Sequence, residues 1–131
     1  MKTAFLDANV LFSAAYREES RLAKQWELSE MRLCTSPYAV EEAKRNLRHP
    51  EREARLERLV GRMQLVPEAD GRLIPSRIVL AEKNRPILAA AIAARANFLV
   101  TGDAKDFGCY YGKRVAGVLV IRPNDLCRKM P

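Results

Sequence analysis

Short apolar runs alternate with helix-like stretches along most of the chain. The apolar runs are TAFL (residues 3–6), RLCTS (32–36), MQLVP (63–67), NFLVT (97–101) and GVLVIRP (117–123), each of strand length. Between them, residues 10–19, 20–31, 36–47, 51–63 and 84–96 have the apolar spacing or the alanine content of helices. This alternation predicts an α/β fold, a three-layer doubly wound parallel sheet of about five strands with helices on both faces.

Helix boundaries are marked by residues that cap or interrupt helices. Ser36 and Pro37 form a preferred N-cap and first-turn pair, so a helix is expected to begin there. That helix is expected to stop at His49, because the residue before Pro50 is pushed out of the helical conformation. Asn84 is a natural N-cap for the alanine-rich helix that follows it.

Chain length and charge narrow the class of protein. A chain of 131 residues suits one domain, so residues 1–131 are interpreted as a single unit. The formal charge of +7 favours polyanionic partners such as nucleic acid, although it does not by itself exclude an anionic membrane surface. No apolar segment approaches the roughly 20 residues that cross a bilayer. Asp7 interrupts the apolar start, which argues against a signal peptide and favours a cytoplasmic protein without membrane association.

The three cysteines show no metal-binding or disulfide pattern. Cys34, Cys109 and Cys127 are odd in number and lack CxxC or CxxH spacing. We therefore expect free thiols.

Acidic residues follow predicted strands at the positions where doubly wound folds bind ligands. Asp7 follows the first strand, Asp103 follows the fourth, and Glu41 and Glu42 lie early in the helix after the second. Only one of these neighbouring glutamates can point inward, because successive helical positions differ by about 100°. Three converging carboxylates repel one another unless a cation lies between them. Oxygen ligands without His or Cys favour magnesium or manganese.

Each acidic residue also has an ordinary structural explanation. Asp7 and Asn9 can cap a helix, and Asp103 and Asp106 can be turn and N-cap residues. Glu42 can be a solvated helix residue paired with a nearby arginine. Taken singly, none of these residues decides between the two interpretations.

Three segments together resemble a known family. FLDANVLFSA (residues 5–14), TSPYAVEEAKRNL (35–47) and PILAAAIAARANFLVTGDAKDF (86–107) resemble the signature blocks of the PIN-domain nucleases, in the same order. The resemblance spans about residues 3–125. It implies a metal-dependent ribonuclease with an acidic pocket for one or two magnesium or manganese ions, and a homodimer. Many small members are the toxin component of a toxin–antitoxin pair, so an antitoxin protein is an expected partner.

The resemblance assigns roles to individual residues. Asp7, Glu42 and Asp103 match the family's metal-binding acids, and Asn9 and Thr101 match polar residues that orient carboxylates. The expected reaction is hydrolysis of an RNA phosphodiester by a metal-activated water. Asp7 and Asp103 would hold the principal ion and Glu42 would bind or position the water.

One position departs from the family pattern. The remaining acid of the family falls at Asn84, which can offer a neutral carbonyl oxygen but no charge. Glu82 can replace that acid if it reaches around the helix start, and Asp106 can add a ligand from the other side. Asn84 as a plain N-cap is an equal alternative. The departure motivates a second hypothesis, a catalytically degenerate domain that binds RNA or a protein partner without cleavage.

Basic residues cluster near the predicted site. The candidates for contact with RNA or an antitoxin are Lys44, Arg45, Arg48, Arg52 and Lys105. They are equally consistent with a solvated helix surface. Tyr110 and Tyr111 can stack on bases, although packing in the core or at a dimer interface is favoured.

Overall fold

The computed structural model describes residues 1–17 and 31–129. Most of the predicted helix at residues 20–31 lies outside the described residues, and Met31 itself begins a strand. The strands are β1 (Lys2–Leu6), β2 (Met31–Thr35), β3 (Gln64–Leu65), β4 (Phe98–Val100), β5 (Arg114–Val115) and β6 (Val118–Ile121). The helices are α1 (Ala8–Tyr16), α2 (Pro37–Leu47), α3 (Pro50–Val60), α4 (Arg85–Ala93), α5 (Ala104–Phe107) and α6 (Pro123–Lys129).

The strands form one sheet in the order β3-β2-β1-β4-β6-β5. Every neighbouring pair in this sheet is parallel except β5 with β6. The predicted doubly wound α/β fold is therefore confirmed. Within the described residues the sheet has six strands rather than about five.

The additional strand is a short edge hairpin. β5 pairs with β6 through a two-residue turn in which Ala116 (φ 50°) and Gly117 (φ 89°) both adopt positive φ. Two successive positive-φ residues match the twist of a two-residue hairpin turn. The apolar pattern predicted β6 but missed β5, since a two-residue strand is too short to show alternation.

β1 lies at the point in the sheet where the strand order reverses. β2 lies on one side of it and β4 on the other, both parallel to β1. The residues that follow these three strands therefore emerge at the same edge of the sheet. In open α/β sheets this edge, at the switch point, is the ordinary place for a ligand.

The start of α2 follows the predicted capping pattern, and its end comes slightly earlier than predicted. Ser36 Oγ accepts a hydrogen bond of 3.2 Å from the backbone N–H of Ala39. The helix ends at Leu47, because Arg48 adopts a left-handed conformation (φ 51°). His49 is extended and caps α3, its Nδ1 accepting from the backbone of Glu51.

The core packs the central strands against helices that include α1, α2 and α4. Phe5 and Leu99 are fully buried in β1 and β4. α4 covers the sheet with a buried run of alanines, Ala89, Ala90 and Ala91, whose small side chains let the helix backbone approach the strands. A larger side chain at Ala90 would overpack this contact at a cost of about 1–3 kcal/mol.

Candidate acidic site

A cavity of about 450 Å³ opens at the carboxyl ends of the central strands. Asp7, Glu42 and Asp103 all line it. Asp7 comes from the end of β1, Asp103 from the segment after β4, and Glu42 from α2, which follows β2. The fold therefore brings together in one cavity three acids that are far apart in the chain.

The Asp7 carboxylate is the most buried acid of the cavity, with 2% of its surface exposed. Its Oδ1 accepts from the backbone N–H of Ala8 at 2.6 Å and so caps α1. Its Oδ2 accepts from Thr101 Oγ1 at 2.8 Å and from Asn9 Nδ2 at 3.1 Å. Asp7 is thus both a helix cap and a cavity acid.

Burial raises the pKa of Asp7 above its ordinary value. The hydrogen bonds from Thr101 and Ala8 lower the pKa and the nearby charge of Asp103 raises it, but removal from water is the largest cause. An ionised Asp7 is therefore destabilised in this cavity, and a positive charge beside it would relieve the cost.

Asn9 and Thr101 connect the ends of β1 and β4. Asn9 Oδ1 accepts from the backbone N–H of Gly102 at 2.8 Å, while its amide donates to Asp7. Thr101 Oγ1 donates to Asp7 and accepts from the backbone N–H of Asp103 at 3.1 Å. A side chain at Gly102 would place a Cβ 3.3 Å from Asn9 Oδ1, so glycine permits this close approach. These contacts hold the orientations of Asp7 and Asp103.

Asn84 joins two aspartates by its amide. Its Nδ2 donates to Asp103 Oδ2 at 3.2 Å and to Asp106 Oδ2 at 2.5 Å. Asn84 occupies the predicted N-cap position of α4, but its side chain makes no capping hydrogen bond to that helix. Asn84 is 6% exposed, and within the described part of the chain no donor reaches its Oδ1. That oxygen is therefore free to serve the cavity.

Asp106 and Glu82 lie differently from the expected additional ligands. Both carboxylate oxygens of Asp106 lie 3.2 Å from the backbone N–H of Ala81, and one of them also accepts from Asn84. Asp106 thus fixes the segment that carries Asn84, and it does not line the cavity. Glu82 is exposed and is also absent from the cavity wall. The structure does not place Glu82 as a substitute for the missing acid.

Glu42 lies on the face of α2 that points into the cavity. Tyr38 and Asn46, four residues before and after it, line the same wall. Glu42 Oε1 accepts from Arg45 Nη1 at 3.1 Å, so one oxygen is engaged by a cation on its own helix. Arg45 therefore partly neutralises the negative charge of Glu42.

The donor set suits a hard divalent cation. Asp7, Asp103, Asn84 and Glu42 all line the same cavity and together offer carboxylate and amide oxygens. A carboxylate offers about four lone-pair directions, so Asp7 keeps one beyond its three hydrogen bonds. Among residues 1–17 and 31–129, no three acidic, His or Cys side chains stand in a preassembled metal-binding group. The residues fit a cation chemically, provided that Glu42 turns from Arg45 towards it.

Three of the five candidate basic residues already have intramolecular partners. Arg45 pairs with Glu42, and Lys44 Nζ lies 3.5 Å from Glu57. The guanidinium of Arg52 lies 3.8 Å from the centre of the Tyr16 ring. The other two, Arg48 and Lys105, are exposed.

Several residues around the cavity were not predicted from sequence. Tyr38 Oη donates to the backbone carbonyl of Lys83 at 2.7 Å, and Lys83 lines the cavity. Tyr111 Oη donates to the carbonyl of Thr101 at 2.8 Å, which supports the end of β4. The position of Tyr38 one helical turn before Glu42 was the available signal. No sequence pattern indicated Lys83, because its position in the cavity wall depends on the conformation of the segment that carries it.

A hydroxyl of the Tyr110–Tyr111 pair also anchors a loop. Tyr110 Oη accepts from the backbone N–H of Val79 at 2.8 Å and donates to its carbonyl at 3.3 Å. Burial raises the pKa of Tyr111, with further raising by the charge of Asp103. Both rings therefore contribute hydrogen bonds within the fold.

The fold and the cavity define a class of protein: a doubly wound α/β domain with a carboxylate-lined cavity at the switch point of its sheet. Residues 3–105 match the model of the PIN domain, and the chain belongs to that family. No curated protein matches the chain significantly.

Solved structures share the fold at low sequence identity. VapBC2 from Rickettsia felis, bound to a DNA fragment from their promoter, aligns with a TM-score of 0.66 at 13% identity, covering 92% of this chain and 98% of that one. DNA-bound VapBC from Salmonella typhimurium aligns with a TM-score of 0.67 at 18% identity, covering 94% and 99%. In the described part of the chain, no helix has the length and apolar character required to cross a bilayer.

Proposed function

We propose that this PIN domain is a metal-dependent ribonuclease that hydrolyses RNA phosphodiester bonds. The observation that carries the proposal is the shared cavity of Asp7, Glu42 and Asp103 in a protein of net charge +7. A basic protein attracts a polyanion, whereas an acidic cavity within it repels phosphate unless a cation is present. The combination suits a site that loads a divalent ion and then nucleic acid.

The polar residues of the cavity have different roles in this proposal. Asp7 and Asp103 would supply the principal charged oxygens for magnesium or manganese, as one or two ions, and Asn84 Oδ1 would supply a neutral one. A bound ion would supply positive charge to the phosphate and lower the pKa of a water molecule. Glu42 would orient a water molecule and accept its proton while the water oxygen bonds to phosphorus. The bond from phosphorus to the leaving oxygen breaks, and that oxygen takes a proton from solvent.

The supporting residues keep the acids aligned. Asn9, just after β1, and Thr101, just after β4, both donate to the Asp7 carboxylate. Asp106 holds the backbone at Ala81 and the amide of Asn84. Preorganisation of this kind lowers the reorganisation needed when charge develops in the transition state.

A cleavage assay tests the proposal directly. Labelled single-stranded RNA should be cut in the presence of manganese or magnesium and remain intact in EDTA. Asp103→Asn and Glu42→Gln should each lower the rate by about 100-fold or more, since each removes a cavity carboxylate. Asp70→Asn is the matched control, because Asp70 is an acid paired with Arg72 at 2.7 Å and does not line the cavity. Equal rates for all variants would reject these roles.

A second candidate function is binding of RNA or a protein partner without cleavage. The observation that favours it is Asn84, whose neutral amide stands where the family has an acid. If neither metal supports cleavage by the natural chain and Asn84→Asp gains cleavage, the binding-only function is the correct one. If the natural chain cleaves RNA, the binding-only function is rejected.

We further propose that the protein is the toxin component of a toxin–antitoxin pair. The fold shared with two VapBC complexes supports this proposal. An antitoxin would bind the surface that carries Lys44, Arg45, Arg48, Arg52 and Lys105, in competition with RNA. Expression should arrest bacterial growth, and Asp103→Asn should abolish the arrest.

We also propose that the protein forms a homodimer. Light scattering after size-exclusion chromatography measures the mass, for which a single chain weighs 14.8 kDa. A monomer at every concentration tested would reject the dimer.

A further inference from the structure

Lys83 is the one basic residue in the wall of the acidic cavity, among the residues that the structure describes. The other charged residues of that wall are Asp7, Glu42 and Asp103. Lys83 is therefore the single basic residue beside three acidic ones in the lining of a cavity that must accept a phosphodiester. The basic residues of α2 and α3, by contrast, do not line this cavity.

The backbone of Lys83 is anchored from two sides of the cavity. Its carbonyl accepts from Tyr38 Oη of α2 at 2.7 Å. Two residues earlier, the N–H of Ala81 donates to the Asp106 carboxylate at 3.2 Å, and Asn84 is held by Asp103 and Asp106 on the other side. The Lys83 side chain thus projects from a fixed backbone, although its own end is exposed.

The Lys83 ammonium has no competing acceptor within residues 1–17 and 31–129. Arg45, Lys44 and Arg122 are each paired with an acid in that part of the chain. No ion pair or hydrogen bond involves Lys83 Nζ there. A compact, flexible ammonium of this kind suits a phosphate oxygen, for which it supplies a point charge and up to three donors.

We propose that Lys83 binds a backbone phosphate of the nucleic-acid substrate and so overcomes the repulsion between that strand and the acids of the cavity. The proposal rests on the proposed function for the class of substrate, a single-stranded RNA. The contact is with the phosphate and not with a base, so it acts equally on all sequences.

Binding measured without turnover separates this contact from catalysis. The probe is a fluorescent single-stranded RNA oligonucleotide, whose affinity is measured by anisotropy in calcium instead of magnesium over salt concentrations of about 0.05–0.3 M, and a denaturing gel checks that the strand stays intact. Loss of one phosphate contact lowers the slope of log affinity against log salt by about 0.7 for a single strand. This slope change corresponds to about fivefold weaker binding at 0.1 M salt if the affinities converge at 1 M.

The variants distinguish a local phosphate contact of Lys83 from the general effect of lowering the net charge of the protein. Lys83→Met should show that slope change, and Lys83→Arg should retain most of the binding. Lys2→Met is the matched control, because it removes the same charge from an exposed lysine at the amino end of β1, opposite the cavity. Equal slopes for Lys83→Met and Lys2→Met, or no change in Lys83→Met, would overturn the proposal. Melting temperatures show that each variant is folded.

The outcomes for Lys83 and for the nuclease are distinguishable. If the natural chain binds the probe through Lys83 but cleaves no RNA, the ribonuclease proposal fails and the contact stands. If the natural chain cleaves RNA and Lys83→Met behaves as Lys2→Met does, the ribonuclease stands and the contact is rejected. Absence of binding by the natural chain rejects the contact.

Discussion

The Asn84 amide bridges two carboxylates, with its Nδ2 3.2 Å from Asp103 Oδ2 and 2.5 Å from Asp106 Oδ2. Two N–H donors thereby separate two negative charges that would otherwise repel. An acid at this position would instead place a third charge among them. The neutral amide therefore stabilises the cavity when no cation is bound, and it lowers the charge available to hold one.

We therefore expect Asn84→Asp to lower the stability of the metal-free protein and to raise its affinity for a divalent cation. Without metal, we expect a loss of at least about 2 kcal/mol in the free energy of unfolding, from two lost charge-assisted hydrogen bonds and added repulsion. Manganese should raise the melting temperature of Asn84→Asp more than that of the natural chain, because ligand binding stabilises only the folded state.

Asn46→Asp is the matched control for this substitution. Asn46 also lines the cavity, but its Nδ2 donates to the backbone carbonyl of Glu42 at 3.0 Å rather than to a carboxylate. Its metal-free stability should fall by no more than about 1 kcal/mol. Equal losses in the two variants would contradict the bridging role of Asn84.

Thr101→Val tests the link between β1 and β4. The substitution keeps the shape of the side chain but removes the donor to Asp7 and the acceptor for the Asp103 N–H. We expect the free energy of unfolding, measured in urea, to fall by about 2–3 kcal/mol, since a buried carboxylate loses a donor.

A second buried threonine provides the comparison. Thr35 Oγ1 donates to the backbone carbonyl of Leu6 at 2.8 Å, which is a neutral acceptor. Thr35→Val should cost about 1 kcal/mol. Similar costs for both threonines would show that the charge of Asp7 adds nothing to the bond.

The raised pKa of Asp7 predicts that the free energy of unfolding depends on pH. Because the folded-state pKa lies above the ordinary value of 3.8, the folded protein binds the Asp7 proton more tightly than the unfolded chain does. This contribution to stability is full below 3.8 and is lost as pH rises through the folded-state pKa. Asp7→Asn removes this titration.

Urea unfolding in EDTA across this pH range measures the effect. The stability of Asp7→Asn relative to the natural chain should increase as pH rises from acid to neutral. A difference that stays constant with pH would show that burial does not disfavour the ionised Asp7. Addition of manganese should reduce the difference, since a cation offsets the same charge.

Arg45→Ala should release Glu42 towards the cavity. The Arg45–Glu42 pair is exposed on the arginine side, so its loss should change stability by no more than about 0.5 kcal/mol. Manganese affinity, measured by calorimetry, should increase because Glu42 is no longer partly neutralised. Lys44→Ala is the control, since Lys44 pairs with Glu57 outside the cavity. An unchanged manganese affinity in Arg45→Ala would place Glu42 outside the metal site.

Local sequence signals determined most of the secondary structure and the acids at strand ends. Ser36 begins α2 by capping the N–H of Ala39, a contact that spans only three residues and is therefore visible in the sequence. The placement of Asp7 and Asp103 after apolar strands likewise follows from local pattern, because parallel strands deliver their carboxyl ends to one edge.

Tertiary structure alone decided how the polar groups of the cavity are paired. Sequence could not distinguish Asn84 as a cap from Asn84 as a bridge, because its partners Asp103 and Asp106 lie 19 and 22 residues away. The same holds for Lys83, which enters the cavity wall through a loop held by Tyr38 from 45 residues earlier. Periodicity reports which face of an element is apolar, whereas such hydrogen bonds depend on how loops between elements meet in space.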